Sequence, residues 1–572
     1  MKYPQVLKII IALCVAGIII IFGLYALHFG ISPVDESFYV NIPYGFALGN
    51  RPFIDEFSLP QMASFFSIPF FKWYIHYHGS EGIFLFSRYL YFFCTLLFAL
   101  IMIFIMKKIT DIAVAILFSL LCISFVFCNL YVLDYDTQAI IFGTIGYFLS
   151  VLAAVEFSTN KSNKFMFIIF FAGLSHAFMV ISYPTLIFVP LLFIFCLMHF
   201  LPKQKVLLFY GCGAIIGGAW LLPLFFHAGW HQLMLDWDYT KSRVMQTGFH
   251  KLTALATKKH WLHIFFALIF FIFTMIAMTF YINAFKKNKV IKKILPWIGP
   301  FFILLILVPA AFATNKWNSA AVIMISSLSI LAPLLFFLVK DKNATLVKQL
   351  FILVWIPSCV AGIITTISSN DFIWSSPVGL FPAALVSIFY MMMLGEKEII
   401  CENEKKINKL TMSCMTIFPV LMLIGILQYY NLIFTFQDLP ISFLHSKIKI
   451  GPFAGLYTTE ESKIYYTQLT RDINSISGHN KTILYENFIP GVLFTGLNTI
   501  RSDARLFAIM HNRVLQPDQK NPDLLVKILS LPVSGPNTEV TPANKNFLAK
   551  KYNVLLHRKG YEILQRMTSE NE

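Results

Sequence analysis

Residues 8–36 read "KIIIALCVAGIIIIFGLYALHFGISPVDE" and decide how the rest of the chain is interpreted. The apolar run from Ile9 to Phe29 is about the length that crosses a bilayer. It is too long for the core of a signal peptide and lacks a small-x-small cleavage site, so we expect a retained first helix with a cytoplasmic N-terminus. Two adjacent carboxylates, Asp35 and Glu36, follow the run after a short segment, and their role depends on which side of the membrane they face.

The rest of the composition indicates a membrane protein. The chain has 572 residues, of which 57% are hydrophobic and 13% charged, against about 25% charged residues in soluble proteins. We predict an α-helical polytopic membrane protein with about 13 transmembrane helices, a large first outer loop and a small C-terminal α/β domain. The predicted spans are 7–28, 83–106, 112–129, 136–157, 165–181, 184–201, 206–226, 262–285, 294–313, 319–339, 349–368, 376–394 and 411–435.

The distribution of lysines orients these spans. The net charge is +16, which in a soluble protein would suggest nucleic acid, but here it follows the excess of basic residues in cytoplasmic loops. Loops placed inside carry several lysines each, whereas the short loops placed outside carry one, Lys316. With the N-terminus inside, the C-terminus lies outside. We therefore expect a multi-pass protein of the bacterial cytoplasmic (inner) membrane with a periplasmic C-terminal domain.

The topology divides the chain into two domains. Residues 1–436 form the membrane domain, with outer loops at about 30–82 and 227–261, and residues 437–572 form the periplasmic α/β domain. In the latter, Thr458 stands three residues before Glu461, which is typical of a capping box that opens a helix. "KTILYE" and "YNVLLHR" are predicted as strands. The nine cysteines lack the spacing of a disulfide framework or a zinc site.

Acidic and basic residues gather on the predicted outer side. Carboxylates so close to the hydrocarbon usually face a cavity or a partner. Acids that remove a proton, beside cations that bind a phosphate, are expected for transfer from a phosphate-linked donor. The acids are Asp35, Glu36, Asp55 and Glu56 in the first loop and Asp134 and Asp136 in "YVLDYDTQ"; the cations are Arg51, Lys72, Arg88, Lys241 and Arg243.

These stretches resemble a known superfamily. "DESFYVNIPYGFALGNRPFIDEFSLPQ", followed by "GSEGIFLFSRYL", resembles the first outer loop of bacterial C-type membrane glycosyltransferases (GT-C). Within that superfamily the chain is similar to relatives of protein O-mannosyltransferases and lipid A aminoarabinose transferases. "TTISSNDFIWSSPVGLFPA", "GPFAGLYTTEES" and "FIPGVLFTGL" resemble further bacterial members. Gln61 stands where a second proline is common.

The resemblance implies an inverting transfer of a sugar from a polyprenyl-phosphate donor to a lipid, glycan or protein acceptor on the outer face of the membrane. Asp35 is the expected base on the acceptor hydroxyl, and Asp134 or Asp136 is the reserve. Glu36 would orient the acceptor or hold a lysine or arginine. A divalent metal is an open alternative, since carboxylates from two loops could bind one. The carrier phosphate would be held by Lys72, Arg88, Lys241 and Arg243.

Two other functions stay open from the sequence. A transporter or flippase of lipid-linked saccharides would place charges or broken helices near the bilayer midplane and show repeat symmetry between halves. An envelope polymerase or ligase would also work outside. Release of free polyprenyl phosphate from the donor separates a transferase from a transporter.

Overall fold

The architecture comes from a computed structural model that describes most of the chain. The described residues are 3–53, 59–160, 163–222, 226, 234, 317–339, 344–369, 372–401, 420–432, 438–476, 483–486, 490–495, 524–528 and 552–566. The eighth and ninth predicted spans, and nearly all of the predicted loop 227–261, lie outside these residues.

Helices dominate up to residue 432. The residues between them form irregular loops or short 3₁₀ or π turns, or lie outside the described residues. The helices are α1 (Tyr3–Ala26), α2 (Asp35–Ala47), α3 (Ile68–His78), α4 (Ile83–Met106), α5 (Ile112–Ser124), α6 (Tyr135–Asn160), α7 (Lys164–Ser182), α8 (Phe188–Met198), α9 (Lys203–Lys205), α10 (Gly211–Ala219), α11 (Trp317–Val339), α12 (Ala344–Leu350), α13 (Ile356–Ser368), α14 (Ser376–Cys401) and α15 (Val420–Leu432).

Six helical segments among the described residues are long and apolar enough to cross a membrane. Four shorter apolar helices accompany them. These helices therefore support the predicted multi-pass helical architecture, whereas the number of thirteen spans stays a prediction. Between the fifth and sixth predicted spans, α7 ends at Ser182, and Tyr183 leaves the helical region with φ −132° and ψ 84°. The six long segments are Val6–Ala26, Ile83–Met106, Tyr135–Thr159, Lys164–Ser182, Ala344–Ser368 and Ser376–Met393.

Small residues allow close helix contacts inside the bundle. α7 packs against α6 and α10. A Cβ atom placed on Gly173 would lie 2.2 Å from the Tyr210 carbonyl oxygen, and one on Gly213 would lie 2.1 Å from the Phe170 oxygen. Glycine therefore permits the backbone approach that membrane helices use for association.

The tail contains the predicted helix and both predicted strands. β1 (Ser446–Lys447) pairs antiparallel with β2 (Tyr457–Thr458). A second sheet has the order β3-β4-β6-β5, in which only the β3–β4 pairing is parallel. The elements are β3 (Ile483–Glu486), β4 (Leu524–Ile528), β5 (Tyr552–His557), β6 (Tyr561–Arg566), α16 (Glu460–Ile476) and α17 (Gly491–Thr495).

The cap of α16 differs from the prediction by one residue. The Thr459 hydroxyl, not that of Thr458, accepts a hydrogen bond from the Ser462 amide at 3.2 Å. Thr458 instead donates to Asp438 Oδ2 at 3.0 Å. The predicted capping box was wrong because a tertiary contact takes the Thr458 side chain and the next threonine does the capping.

One apolar cluster joins the first loop to the tail. It combines Ile31, which follows α1, and Val40 of α2 with Phe453, Leu456 and Tyr466 of the tail. This cluster lies where α1 ends and where α4 and α6 begin, which we call the loop end of the bundle. The tail segment 438–473 therefore shares a core with the first loop.

Candidate active site at the loop end of the bundle

The acidic pair opens a helix. α2 begins at Asp35, with both acids in its first turn, where the helix dipole favours negative charge. Consecutive residues of a helix point about 100° apart. Glu36 is consequently buried, at 1% exposure, whereas Asp35 is half-buried. Two carboxylates that look equivalent in the sequence therefore have different surroundings.

Glu36 forms a buried ion pair with Arg88 of α4. Arg88 Nε donates to Glu36 Oε1 at 2.6 Å and Nη2 donates to Oε2 at 2.7 Å, a two-pronged contact. The side chains are 4% and 2% exposed. The remaining N–H groups of Arg88 donate to the carbonyl oxygens of Leu27, Phe29 and Gly30 at 2.8–2.9 Å. The pair thus fastens α4 to the end of α1 and the start of α2.

This arrangement bears on two predicted roles. An arginine has five N–H donors, and all five of Arg88 are occupied by protein acceptors. Arg88 therefore has no donor left for a carrier phosphate in this arrangement, and its role in binding one stays a prediction. Of the two roles expected for Glu36, the structure shows the second, which is to hold an arginine.

Asp134 caps the helix that follows it. Its Oδ1 accepts from the Thr137 amide at 2.6 Å, at the start of α6. Burial raises the pKa of the Asp134 carboxyl from 3.8 to about 6, hydrogen bonds from Thr137 oppose that rise, and the negative charge of Asp35 adds to it. Asp35 of the first loop is therefore near enough to Asp134 for its charge to act on that carboxyl.

Tyr39 lies among three of the predicted acids. It stands one helical turn after Asp35 on α2, and its ring centroid is 5.9 Å from that of Tyr135. Burial raises the pKa of the Tyr39 phenol most, and the charges of Asp134, Asp136 and Asp35 raise it further. The phenol therefore stays protonated and can donate a hydrogen bond. Sequence reasoning missed Tyr39, although its position four residues after Asp35 places both on one face of a helix.

The other predicted phosphate-binding cations are Lys72, Lys241 and Arg243. Lys72 is exposed on α3, next to Trp73, which is 58% exposed. Lys241 and Arg243 lie outside the described residues, as do Asp55 and Glu56. Gln61, at the position where a second proline is common, accepts a hydrogen bond from the Phe53 amide at 2.9 Å.

The tail holds both ends of the first loop. Gly30 N donates to Tyr457 O at 2.9 Å, and Tyr457 N donates to His28 O at 2.7 Å. At the other end of the loop, Gly82 N donates to Gly451 O at 3.1 Å, and Gly451 N donates to Glu81 Oε2 at 2.9 Å. The segment 451–457 therefore bridges the residues that precede and follow the loop that carries Asp35.

A further carboxylate, missed from the sequence, supports this bridge. Asp438 Oδ2 accepts from the Ile31 amide at 3.0 Å as well as from the Thr458 hydroxyl. Burial raises the pKa of Asp438, and the positive charge of Arg88 acts in the opposite direction. Nothing in the local sequence around Asp438 marks it, because its partner lies 407 residues away.

The arrangement can perform proton transfer at the loop end. Among the described acids of the first loop, Asp35 is half-buried and its charge acts on Asp134, whereas Glu36 forms an ion pair with Arg88. Within the described residues no group of three or more His, Cys, Asp or Glu side chains is placed to hold a metal ion. Carboxyl and phenol groups such as those of Asp35, Asp134 and Tyr39 can serve in general acid–base catalysis.

No protein-family profile matches the chain, and no curated protein matches it. Among solved structures, the chain is similar to the archaeal oligosaccharyltransferase AglB from Archaeoglobus fulgidus, which was solved in complex with an inhibitory peptide and a dolichol-phosphate. That similarity has a TM-score of 0.46 and 13% sequence identity, and covers 92% of this chain and 70% of the other.

Proposed function

We propose that this protein is a membrane glycosyltransferase that moves a sugar from a polyprenyl-phosphate donor to an acceptor, with inversion at the anomeric carbon. One observation carries the proposal: Asp35 is half-buried at the end of a membrane-length apolar bundle, beside the buried Asp134 that its charge influences. A base at this height meets a donor whose reactive carbon lies at the membrane surface while its chain remains in lipid. The quoted resemblance to GT-C enzymes supports the same reaction.

The proposed step balances as a single displacement. Asp35 accepts the proton of the acceptor hydroxyl, and the oxygen forms a bond to the anomeric carbon. The bond from that carbon to the phosphate oxygen breaks, and the polyprenyl phosphate leaves with the electron pair. The transition state is oxocarbenium-like, as in glycoside hydrolysis. Lys72, Lys241 and Arg243 remain the proposed cations for the departing phosphate, without Arg88.

The site belongs on the outer face of a bacterial cytoplasmic membrane in this proposal. The lysine distribution supports a cytoplasmic N-terminus, and the end of α1 then lies outside. Residues 1–436 form the transferase domain and residues 437–572 a periplasmic domain. The acceptor is a lipid, a glycan or a protein. Because the segment 451–457 contacts both ends of the first loop, the periplasmic domain lies beside the site.

The variant Asp35→Asn tests the proposal. It keeps the shape of the side chain but removes the base, which typically contributes 10²–10⁴-fold to the rate, or roughly 3–5 kcal/mol of barrier. We expect transfer to fall by that factor with expression and donor binding unchanged. The measurement is sugar transfer, and release of free polyprenyl phosphate, in membranes that carry equal amounts of protein by immunoblot.

A matched control is available at the opposite end of the bundle. Asp111 caps α5, its Oδ1 accepting from the Val114 amide at 3.0 Å, so Asp111→Asn removes a capping carboxylate far from the site and should transfer normally. If Asp35→Asn transfers at the wild-type rate while Asp134→Asn or Asp136→Asn is inactive, the base belongs to the segment before α6. A protein that translocates saccharide without ever releasing polyprenyl phosphate is a transporter.

A further inference from the structure

A small pocket, lined in part by the Glu36–Arg88 pair, lies at the loop end. It is formed where the end of α1, the start of α2, α4, the segment before α6 and α15 meet. Its wall also includes Ile441 just after the last described membrane helix. The residues that line it are Ala26, Phe29, Gly30, Glu36, Arg88, Asn129, Leu130, Tyr131, Asn431 and Ile441.

Three of these residues carry buried polar atoms that no described residue satisfies. Both side-chain polar atoms of Asn129 lack a hydrogen-bond partner there, although the residue is only 3% exposed. Asn431 is 4% exposed; its Nδ2 donates to the Ser124 carbonyl oxygen at 2.9 Å and its Oδ1 is left over. The Tyr131 hydroxyl is also unpaired within the described structure. Buried polar groups are nearly always hydrogen-bonded, so this pocket calls for an occupant.

The backbone presents Asn129 in an uncommon way. Cys128 and Asn129 have φ values of 53° and 54°, two successive non-glycine residues in the left-handed region. Asparagine tolerates this region better than most residues. Conformations of this kind persist where the surrounding structure enforces them, often at ligand clamps.

The charge of the pocket limits the class of occupant. Glu36 and Arg88 neutralise each other, and Arg88, the one cationic residue lining the pocket in the described part of the chain, has all five donors occupied. A phosphate would therefore find no free cation. The available groups are two amides and a phenol, which supply both donors and acceptors without net charge.

We infer that the pocket binds a hydroxyl or hydroxymethyl group of a saccharide substrate, an inference that rests on the proposed function. The pocket is too small for a whole sugar ring, and one hydroxyl both donates and accepts, as the Asn129 amide and Asn431 Oδ1 require. Glu36 of the pocket wall is adjacent in sequence to Asp35. A hydroxyl held here would select which sugars are transferred.

The test uses Asn129→Gly in the full-length protein in lipid nanodiscs. Glycine keeps the left-handed backbone accessible while removing the amide. The control is Cys128→Gly, which relieves the backbone at the neighbouring residue and leaves both amides in place. The probes are the methyl glycosides of glucose, mannose and galactose, followed by saturation-transfer NMR, and a radiolabelled polyprenyl-phosphate hexose, followed by equilibrium binding.

We expect Asn129→Gly to weaken binding of at least one probe by about tenfold, the typical effect of losing a hydrogen bond to a buried group, and Cys128→Gly to bind as wild type. A deoxy analogue that lacks the recognised hydroxyl should bind equally to the wild-type protein and Asn129→Gly, since the two losses are not additive. Weakening of the lipid-linked probe alone assigns the pocket to the donor. Weakening of a methyl glycoside alone assigns it to the acceptor.

If neither kind of probe distinguishes the wild-type protein from Asn129→Gly, the pocket holds only water and the inference is wrong. The variant Asp35→Asn separates this failure from a failure of the proposed function. If Asp35→Asn is inactive and Asn129→Gly binds normally, the pocket inference fails and the proposed function stands. If Asp35→Asn is fully active and Asn129→Gly binds more weakly, the proposed function fails and saccharide binding in the pocket stands.

Discussion

The variant Glu36→Gln should unfold the loop end, whereas Asp35→Asn, one residue earlier, should not. Glutamine keeps one acceptor for Arg88 but turns an N–H₂ group towards a second donor. The guanidinium then remains buried, at 4% exposure, without a counter-charge. Removing one partner of a buried ion pair costs about 3–5 kcal/mol. Asp35 is half-buried, and Asp35→Asn keeps the shape and one acceptor oxygen of the side chain without leaving a buried guanidinium unpaired, so it should lower the stability less than Glu36→Gln.

Arg88→Met should be worse than Glu36→Gln. It leaves the Glu36 carboxylate buried and unpaired, and it also removes the donors to the carbonyl oxygens of Leu27, Phe29 and Gly30. Each buried acceptor left without a donor costs about 1–3 kcal/mol. The double variant Glu36→Met/Arg88→Met removes both charges but still leaves the carbonyl groups, so it should recover only part of the loss.

Thermal unfolding of the purified full-length protein, followed by tryptophan fluorescence, measures this order. The expected ranking of melting temperatures is wild type and Asp35→Asn highest, then Glu36→Gln, then Arg88→Met. Sugar transfer measured on the same samples should show the opposite contrast, with Asp35→Asn inactive although folded. A Glu36→Gln protein that melts with the wild type would refute a structural role for the pair. A double variant as stable as the wild type would show that the carbonyl contacts contribute nothing.

Three further predictions concern the surroundings of the site. The pKa of the Asp134 carboxyl is about 6 in the folded protein, above its ordinary value of 3.8, so the folded state is favoured at low pH. The free energy of unfolding of the wild type should fall by about 3 kcal/mol as the pH rises from about 4 to above 6. Chemical denaturation should show no such fall for Asp134→Asn. Asp438→Ala leaves the Ile31 amide without its acceptor and should lower both melting temperature and transfer, and Asp438→Asn, which retains an oxygen, should restore part of each. Thr459→Ala should cost about 1 kcal/mol and speed hydrogen exchange in the first turn of α16, while Thr459→Ser should behave as the wild type.

The elements of the fold followed from local sequence to a large extent. The predicted span 83–106 coincides with α4 (Ile83–Met106), and "KTILYE" and "YNVLLHR" contain β3 and β5. These predictions hold because the length of an apolar run and the composition of a strand are local properties. The capping box at Thr458 was wrong because a hydroxyl can serve a distant carboxylate as well as its own helix, and the local pattern does not say which.

The sequence by itself determined that the chain is a multi-pass helical protein and that an acidic pair stands where the first apolar run ends. Only the tertiary structure decided which of the two acids is committed to a buried ion pair. Asp35 and Glu36 are adjacent and chemically alike, and what distinguishes them is Arg88, 52 residues further along the chain. The tail likewise returns to His28 and Gly30 through Tyr457. Such pairings depend on how helices pack, because burial commits a carboxylate to one partner and removes it from chemistry.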